Sequence, residues 1–435
     1  MSESRVFNKF DQQQFARLTG DTNSMHMDRI LARRTQAGEP VVHGMNVLLW
    51  ALDSLAEHIS LSNISSIKAK FEKFIALDRN VECSVVKSDE FGAEIDVRCR
   101  SIGVLSIFLK FGPIRSAAVP VYNWLSPPVG LEDIGAAYPK LSAAIGVSRV
   151  SALGQISRLV GMVNPGLNSI LSMVEVDLVE QSPGDGGIGF NVERADERFS
   201  IVVLKVAGSG IAGRTIAFER KPPVVGPSME AAAAGISPTE FAGSSALILG
   251  GSRGLGEVAA KLVAAGGGRP IITYAVGRED AERVAGEIGC QFRHFDATNP
   301  ASSQLSDLPS LTHVYYFASP QIFVQKGPGF DVELHRRFLR FYVDAFHEVY
   351  RALGPVPAYF YPSTIAVETR PQGMAEYVMA KTAGEILCAE LASEAKMRVE
   401  RLPRILTDQT AVVARVHNAD ALETMTPLIR AFQAS

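Results

Sequence analysis

An aspartate and a histidine near the start of the chain have the residue types and the spacing that acid–base chemistry needs. Asp21 and His26 are separated by four residues, on a segment whose glycine and asparagine predict a loop. One of the two side chains can remove a proton while the other delivers one. Gly44 opens an apolar stretch, and backbone N–H groups at a helix start can stabilise a developing oxyanion. These three residues are therefore predicted to be catalytic.

A tyrosine and a lysine near the end of the chain form a second candidate pair. Tyr377 and Lys381 lie one helical turn apart, so their side chains are expected to be neighbours. A phenol with a pKa of about 10 is a poor acid at neutral pH unless a nearby cation lowers that pKa. The pair is therefore predicted to donate a proton, with the lysine as the cation.

A glycine-rich segment upstream predicts a dinucleotide site. Residues 250–256, Gly-Gly-Ser-Arg-Gly-Leu-Gly, follow an apolar strand-like run and open a helix-like one. Small residues let the backbone approach a pyrophosphate, and the helix N-terminus attracts its charge. The run ending at Tyr274 has no acidic residue to bind a ribose 2′-hydroxyl, whereas Arg253 and Arg278 are nearby. That balance favours NADPH over NADH, unless both arginines are simply solvated.

Composition restricts the class of protein. A chain of 435 residues exceeds one ordinary core, and about three domain-sized units are expected. With 47% hydrophobic residues and a net charge of -3, no nucleic-acid partner is indicated. The four cysteines are scattered, which predicts structural thiols and no metal site. No apolar run is long enough for a membrane helix, and a cytoplasmic location is predicted.

The elements that must position these residues follow three patterns. An apolar helix is predicted at 45–59, followed by strand-like runs at 67–74, 81–87, 93–100 and 104–111, an α+β layout. After a proline-bearing stretch at 113–128, an apolar segment at 159–171 precedes runs near 173–180, 187–192, 199–206 and 215–220. This second layout repeats the first but lacks the Asp-x4-His spacing, which predicts a chemically silent copy.

The last pattern alternates strands and helices. Residues 221–243 are predicted to be a linker. Beyond it, strands at 246–249 and 270–274 alternate with helices at 254–265 and 279–288, which predicts a parallel, doubly wound sheet.

The N-terminal motif resembles a known family. Phe15-Ala-x-Leu-Thr-Gly-Asp-x-Asn-x-x-His-x-Asp28, with Val-Val-His-Gly-Met at 41–45, is similar to the MaoC-type (R)-specific enoyl-CoA hydratases over about the first 113 residues. The resemblance implies the hot-dog fold and a catalytic pair of Asp21 and His26. Ser24 stands where proline is usual. Asp21 as a turn cap and His26 as a plain loop histidine remain the alternative. His43 is expected to pack, with positioning of the loop as the alternative.

The C-terminal segment, residues 244–435, resembles the short-chain dehydrogenase/reductases, most closely their 3-ketoacyl reductase branch. The resemblance implies that Tyr377 protonates a carbonyl, that Lys381 lowers the tyrosine's pKa and holds the nicotinamide ribose, and that Thr364 or Ser363 steadies the carbonyl. Tyr342 stands where the family has asparagine. The implied cofactor contacts are Gly250, Ser252, Arg253, Gly254, Leu255, Gly256, Arg278, Asp296, Ala297, Ala318 and Lys381.

Together the two resemblances predict an α+β double hot-dog region followed by an α/β Rossmann domain. The expected boundaries are 1–125 for the catalytic half, 126–222 for a silent acyl-binding half, 223–243 for the linker and 244–435 for the reductase. The expected activity is bifunctional: hydration of an enoyl-CoA or acyl carrier protein thioester, or the reverse dehydration, plus NADPH-dependent 3-oxoacyl reduction. A homo-oligomer is expected from the families. The alternatives are a hydratase with a degenerate reductase domain, and a non-catalytic acyl-binding scaffold.

Overall fold

The structure of this chain is a computed structural model that describes residues 2–114, 120–180, 186–324, 326–327, 329–353, 358–411 and 417–434. Residues 115–119, within the predicted proline-bearing stretch, and residues 181–185, within the predicted second half, lie outside the described residues. The chain divides between Pro222 and Pro223 into two compact units, each with its own core. No helix in the described ranges is long and apolar enough to cross a membrane.

One antiparallel sheet of ten strands forms the frame of the N-terminal unit. Its strands are β1 (Ser2–Val6), β2 (Ile64–Phe71), β3 (Asn80–Ser88), β4 (Gly92–Cys99), β5 (Ile102–Phe111), β6 (Asn123–Leu125), β7 (Ser169–Leu178), β8 (Ile188–Asp196), β9 (Ile201–Gly208) and β10 (Ile211–Glu219). Their order is β1-β3-β4-β5-β2-β7-β10-β9-β8-β6. Each half of the sheet therefore has the same internal order, and β2 pairs with β7 where the halves meet, with Ile67 opposite Val176.

The antiparallel runs predicted on both sides of that junction are confirmed, because alternating burial along strands such as β4 matches the alternating sequence. The two edge strands were not predicted. β1 is short and almost wholly exposed, and β6 has three residues within the stretch that was expected to be a separator. Neither has enough buried positions to produce a period-two pattern.

Seven α-helices accompany this sheet in the described part of the unit. They are α1 (Lys9–Thr19), α2 (Ser24–Met27), α3 (Arg29–Ala32), α4 (Gly44–Ser54), α5 (Leu131–Ala137), α6 (Pro139–Ile145) and α7 (Val147–Arg158). Every residue of α4 from Met45 to Leu52 is buried, which explains why its sequence is apolar on all sides. The helix ends at Ser54 rather than at the predicted Ile59. α7 is the matching buried helix of the second half, and it continues into one π-helical turn at Leu159–Val163.

A parallel sheet of six strands forms the C-terminal unit. Its strands are β11 (Ser245–Leu249), β12 (Arg269–Tyr274), β13 (Gln291–His294), β14 (His313–Tyr316), β15 (Ala358–Thr364) and β16 (Lys396–Leu402). Every neighbouring pair is parallel, and the order β13-β12-β11-β14-β15-β16 is that of doubly wound dinucleotide-binding sheets. The prediction of a parallel, doubly wound sheet is therefore confirmed.

The first helix of this unit lies within the segment that was expected to be a linker. They are α8 (Met229–Ala233), α9 (Gly254–Ala265), α10 (Arg278–Ile288), α11 (Val332–Leu339), α12 (Ala345–Leu353), α13 (Ala366–Thr369), α14 (Ala375–Leu391) and α15 (Ala421–Gln433). A π-helical turn, Arg340–Asp344, joins α11 to α12. Within residues 223–243, Ala232, Ile236 and Phe241 are buried in the core of the C-terminal unit. The segment therefore packs against this unit.

Candidate active sites

Asp21 is held by both halves of the N-terminal unit. It follows Gly20, whose left-handed φ of 76° ends α1 and turns the chain. The carboxylate is 1% exposed and accepts hydrogen bonds from Ser157 Oγ at 2.6 Å and from the backbone N–H of Asn23 at 3.2 Å. A Cβ on Gly161 would lie only 2.7 Å from Asp21 Oδ1, so that position must be small. The loop around Asp21 thus rests on α7 and its π-helical turn.

The environment of Asp21 favours a carboxyl group that can hold a proton. Burial raises its pKa above 3.8, and the neighbouring His26 and the hydrogen bond from Ser157 oppose that rise. The raised pKa brings Asp21 closer to the pH range in which a carboxyl group can act as a general acid.

His26 and His43 form a stacked pair beside Asp21. Nδ1 of His26 lies 2.7 Å from the carbonyl oxygen of Val41, so Nδ1 carries the hydrogen and Nε2 is the nitrogen that can exchange a proton. The two imidazole rings stack with centroids 3.9 Å apart. His43 is completely buried and packs as expected, but its Nε2 also lies 3.9 Å from Asp21 Oδ2. Burial and the neighbouring His26 hold the pKa of His43 well below 6.5.

Gly44 begins α4 directly after His43. In the described part of the chain no side chain caps this helix start, so its backbone N–H groups remain available to an oxyanion. A Cβ on Gly44 would lie 2.9 Å from the ring of Phe71, so a larger residue there would require that ring to move. His43, which directly precedes this helix start, contacts both Asp21 and His26.

The same cluster is the one group of described His, Cys, Asp and Glu side chains that could offer three ligands to a metal. The donor atoms of Asp21, His26 and His43 lie within 4.8 Å of one another. Nδ1 of His26 and both nitrogens of His43 already face oxygen atoms of the protein. This arrangement suits proton transfer better than metal binding.

Ser157 is a site residue to which the sequence had assigned no role. It lies 136 positions from Asp21 in the chain, and no local motif connects the two residues. The only signal was the layout of the second half, which repeats that of the first, and this repetition does not identify the contact.

In the C-terminal unit the predicted glycine turn joins β11 to α9. Gly250 and Gly254 have left-handed φ values of 79° and 58°. A Cβ on Gly256 would lie 2.2 Å from the carbonyl oxygen of Gly250. Only glycine allows the helix and the turn to come this close. The order of the sheet reverses beside β11, at the carboxyl end where doubly wound folds bind nucleotides. The backbone therefore fits a dinucleotide.

The other predicted cofactor residues lie within this turn or elsewhere in the C-terminal unit. Ser252 is buried, Leu255 packs against the core, Ala297 is buried, and Ala318 N would lie 3.0 Å from a Cβ on Gly250. The charged members already have partners within the chain. Arg253 Nη1 lies 3.5 Å from Asp408 Oδ2, and Arg278 Nε lies 2.7 Å from Glu282 Oε1. Asp296 accepts hydrogen bonds from the backbone and hydroxyl of Thr298.

Tyr377 and Thr364 are brought together at the ends of α14 and β15. The Thr364 hydroxyl is hydrogen-bonded to Tyr377, whereas Ser363 Oγ donates to Glu385 Oε1 at 2.5 Å. Of the two hydroxyl candidates, Thr364 is thus the one next to the tyrosine. Burial raises the pKa of Tyr377 to about 12, and the hydrogen bond from Thr364 opposes that rise.

Lys381 is buried beneath aromatic rings. Its Nζ donates to the carbonyl oxygen of Pro362 at 2.7 Å and lies 3.9 Å from the ring centroid of Tyr342 and 5.0 Å from that of Tyr361. Burial lowers the pKa of Lys381 to about 7. The Tyr342 hydroxyl is 2.7 Å from Ser319 Oγ. Tyr342 therefore provides an aromatic face to the lysine at the position where the resembled family has an amide.

Known proteins resemble the two parts of the chain separately. Residues 2–102 match the family described as the MaoC like domain, which confirms the resemblance of the N-terminal segment. No curated protein matches the chain. Among solved structures, BdcA in complex with NADPH is 18% identical, with a TM-score of 0.40, over 44% of this chain and 88% of that one. A short chain dehydrogenase from Burkholderia cenocepacia J2315 in complex with NADP is 19% identical, with a TM-score of 0.39, over 43% and 90%.

Proposed function

We propose that the N-terminal unit adds water to an enoyl thioester, or removes it from a 3-hydroxyacyl thioester. The supporting observation is the buried cluster of Asp21, His26 and His43 at the start of α4. In hydration, His26 Nε2 takes a proton from water as the oxygen bonds to the β-carbon, and the electrons move to the carbonyl oxygen. The N–H groups of α4 stabilise that oxyanion, and Asp21 gives its proton to the α-carbon. A proton passed from His26 to Asp21 restores both groups.

We further propose that this unit is a double hot-dog, in which the two halves of the sheet surround α4 and α7. The identical strand order of the halves supports this arrangement. The second half, without its own Asp-x4-His motif, binds the acyl chain and supports Asp21 through Ser157. Acyl-CoA and acyl carrier protein thioesters are both candidate substrates, and the assembly is proposed to be a homo-oligomer.

For the C-terminal unit we propose NADPH-dependent reduction of a 3-oxoacyl thioester. The glycine turn at the switch point of the sheet supports a dinucleotide there, with Arg253 and Arg278 as candidates for the 2′-phosphate. The cofactor, when bound, supplies a hydride. Tyr377 delivers the proton to the carbonyl oxygen, and Thr364 holds that oxygen in place. The two units would then share a 3-hydroxyacyl intermediate.

One observation favours a second candidate, a hydratase whose C-terminal unit binds a dinucleotide without reducing a substrate. Lys381 Nζ is bonded to Pro362 O, and the ring of Tyr342 lies beside it. Burial raises the pKa of Tyr377 instead of lowering it. A reductase acting at neutral pH is aided by a more acidic phenol, so the direction of this shift favours the second candidate.

Two assays on the full chain test these proposals. Enoyl absorbance is followed with crotonyl-CoA and NADPH absorbance with acetoacetyl-CoA, in wild type, Asp21→Asn and Tyr377→Phe. Asp21→Asn is expected to lose hydration at least about a hundredfold and to keep reduction, because acid–base groups contribute that much. Tyr377→Phe is expected to show the reverse, so each variant is the control for the other. Hydration that survives in Asp21→Asn would rule out the N-terminal proposal. A wild type with hydration but no NADPH oxidation supports the second candidate.

A further inference from the structure

The glycine turn of the C-terminal unit contains an ion pair that the proposed reduction does not use. Arg253 directly precedes α9, and its Nη1 lies 3.5 Å from Oδ2 of Asp408, in the segment that follows β16. The side chain of Asp408 is 8% exposed and that of Arg253 is 28% exposed. A nearly buried carboxylate therefore lies beside one of the two arginines proposed to bind the 2′-phosphate of the cofactor.

The position of this carboxylate does not depend on the arginine. Asp408 Oδ1 accepts the backbone N–H of Val224 at 2.8 Å. The segment that carries Val224 is itself attached to α9, because Lys261 Nζ donates to the carbonyl oxygen of Pro227 at 2.7 Å. One carboxylate oxygen is thus held by a backbone donor, while the other faces Arg253.

The residues next to Asp408 lie at the nucleotide edge of the sheet. Thr407 Cγ2 would be 4.0 Å from a Cβ on Gly254, the first residue of α9. Gln409 Oε1 accepts the N–H of Ile322 at 2.9 Å, in the loop after β14. Both loops follow the carboxyl ends of parallel strands, where doubly wound folds bind nucleotides. Asp408 is therefore close to the proposed cofactor site.

A phosphate can replace this ion pair on the arginine but cannot avoid the carboxylate. A strong hydrogen bond from a guanidinium to a carboxylate is about 2.7–2.9 Å long, and the pair of Arg253 and Asp408 is longer than that. A phosphate can accept two N–H groups of one guanidinium at once, and it would displace the weaker partner. Since Val224 keeps the carboxylate nearby, the two negative charges would still repel each other.

The other candidate arginine has an acidic partner of a different kind. Arg278 Nε lies 2.7 Å from Glu282 Oε1, one helical turn along α10, and the two side chains are 68% and 46% exposed. Water screens such a pair, and an exposed glutamate can rotate away at little cost. The fixed, nearly buried charge is therefore the one beside Arg253.

We propose that Asp408 is a specificity-determining residue, whose carboxylate competes with the 2′-phosphate of NADPH for Arg253. This inference rests on the proposed dinucleotide function of the C-terminal unit. NADH has a neutral hydroxyl in place of the 2′-phosphate, so Asp408 restricts the affinity for NADPH and leaves that for NADH unchanged. The charge of Asp408 thereby sets how strongly the chain distinguishes the two cofactors.

The test measures the Kd of NADPH and of NADH for the full chain by isothermal titration calorimetry, without a substrate. Asp408→Asn removes the charge but keeps an oxygen that can accept the N–H of Val224. Arg253→Met removes the cation, and the double variant combines the two changes. Asp307→Asn makes the same charge change at an exposed position of this unit and is the control. Melting curves identify any variant that fails to fold.

Asp408→Asn is expected to lower the Kd of NADPH about tenfold, because a unit charge at about 4 Å acts with at least that order of energy near a protein surface. The Kd of NADH should stay as in wild type. Arg253→Met is expected to raise the Kd of NADPH about tenfold to a hundredfold, the effect of losing a hydrogen-bonded charge. In the double variant the Asp408 change should have much less effect, and Asp307→Asn should match wild type.

Three results would overturn the inference while the cofactor still binds. They are an unchanged or weaker affinity of Asp408→Asn for NADPH, an equal gain in affinity for NADH, and an effect of Asp408→Asn that persists undiminished without Arg253. A folded wild type that binds neither dinucleotide would instead refute the proposed cofactor function, and this inference with it.

Discussion

Ser157 Oγ lies 2.6 Å from Oδ2 of Asp21, although 136 residues separate them in the chain. Ser157 is the penultimate residue of α7, the buried helix of the half that lacks its own Asp-x4-His motif. The second half therefore holds the carboxylate on which the proposed chemistry depends. This contact gives a physical reason for the two halves to remain in one chain.

Replacing Ser157 with alanine tests that dependence. A hydrogen bond to a charged group contributes about 1.5–3 kcal/mol, so Ser157→Ala is expected to lower kcat/KM for crotonyl-CoA hydration about tenfold to a hundredfold. Ser148→Ala, at another buried serine of α7, is the matched control. Equal rates in the two variants would show that Ser157 does not support Asp21.

Gly161 gives a steric test of the same contact. A methyl group there would lie 2.7 Å and 2.9 Å from the two carboxylate oxygens of Asp21, so Gly161→Ala must displace that side chain. Crotonyl-CoA hydration is expected to fall at least about a hundredfold, the cost of moving a reacting group by about 1 Å. Gly154→Ala on α7 places its methyl group 3.2 Å from Thr19 Cγ2 instead and should be much milder. Similar hydration rates in both variants would contradict this interpretation.

The sequence predicted what depends on local spacing. The glycine turn and the alternation of strands and helices are local, so β11, α9, β12 and α10 could be predicted nearly to the residue, whereas bounds were not predicted for the other four strands of the parallel sheet. Contacts between distant residues have no such signal, which is why the contact of Ser157 with Asp21 was not predicted. The hydrogen-bond partners of His43 were not predicted either, because a sequence does not show which oxygen a buried imidazole will face.

Two glycines within helices of the C-terminal unit are expected to respond in opposite ways to alanine. Gly286 is exposed on α10, with no atom within 4 Å of an added Cβ. Alanine has the higher helix propensity, so Gly286→Ala is expected to raise the free energy of unfolding by about 0.5–1 kcal/mol. The midpoint of urea unfolding, followed by circular dichroism, measures this change.

Gly384 on α14 is the contrasting position. A Cβ there would lie 1.9 Å from the Tyr361 hydroxyl, which donates to the carbonyl oxygen of Tyr342 at 3.0 Å. Gly384→Ala is therefore expected to lower the free energy of unfolding by about 1–3 kcal/mol, as overpacking does. If Gly384→Ala raised the urea midpoint as Gly286→Ala is expected to do, helix propensity alone would explain both results and the close packing around Tyr361 would be disproved.

The buried lysine predicts how stability depends on pH. Burial lowers the pKa of Lys381 from 10.5 to about 7. Between these values the unfolded chain holds a proton that the folded chain has released, and stability rises with pH wherever the unfolded state binds more protons. Lys381→Met has a similar shape and cannot titrate. The melting temperature of wild type relative to Lys381→Met is therefore expected to increase as pH rises from about 7 to about 9.5.

Tyr377, whose pKa is raised to about 12 by burial, adds a second pH dependence at the upper end of that range. Above about pH 10 the folded state keeps the phenol proton that the unfolded chain loses, so the stability of wild type and of Lys381→Met falls there alike. Lys396→Met, at an exposed lysine of β16, is the control and should give a constant offset from wild type. If Lys381→Met also gave a constant offset, Lys381 would stay charged beside Tyr342 and Pro362. The lowered pKa of Lys381 would then be wrong.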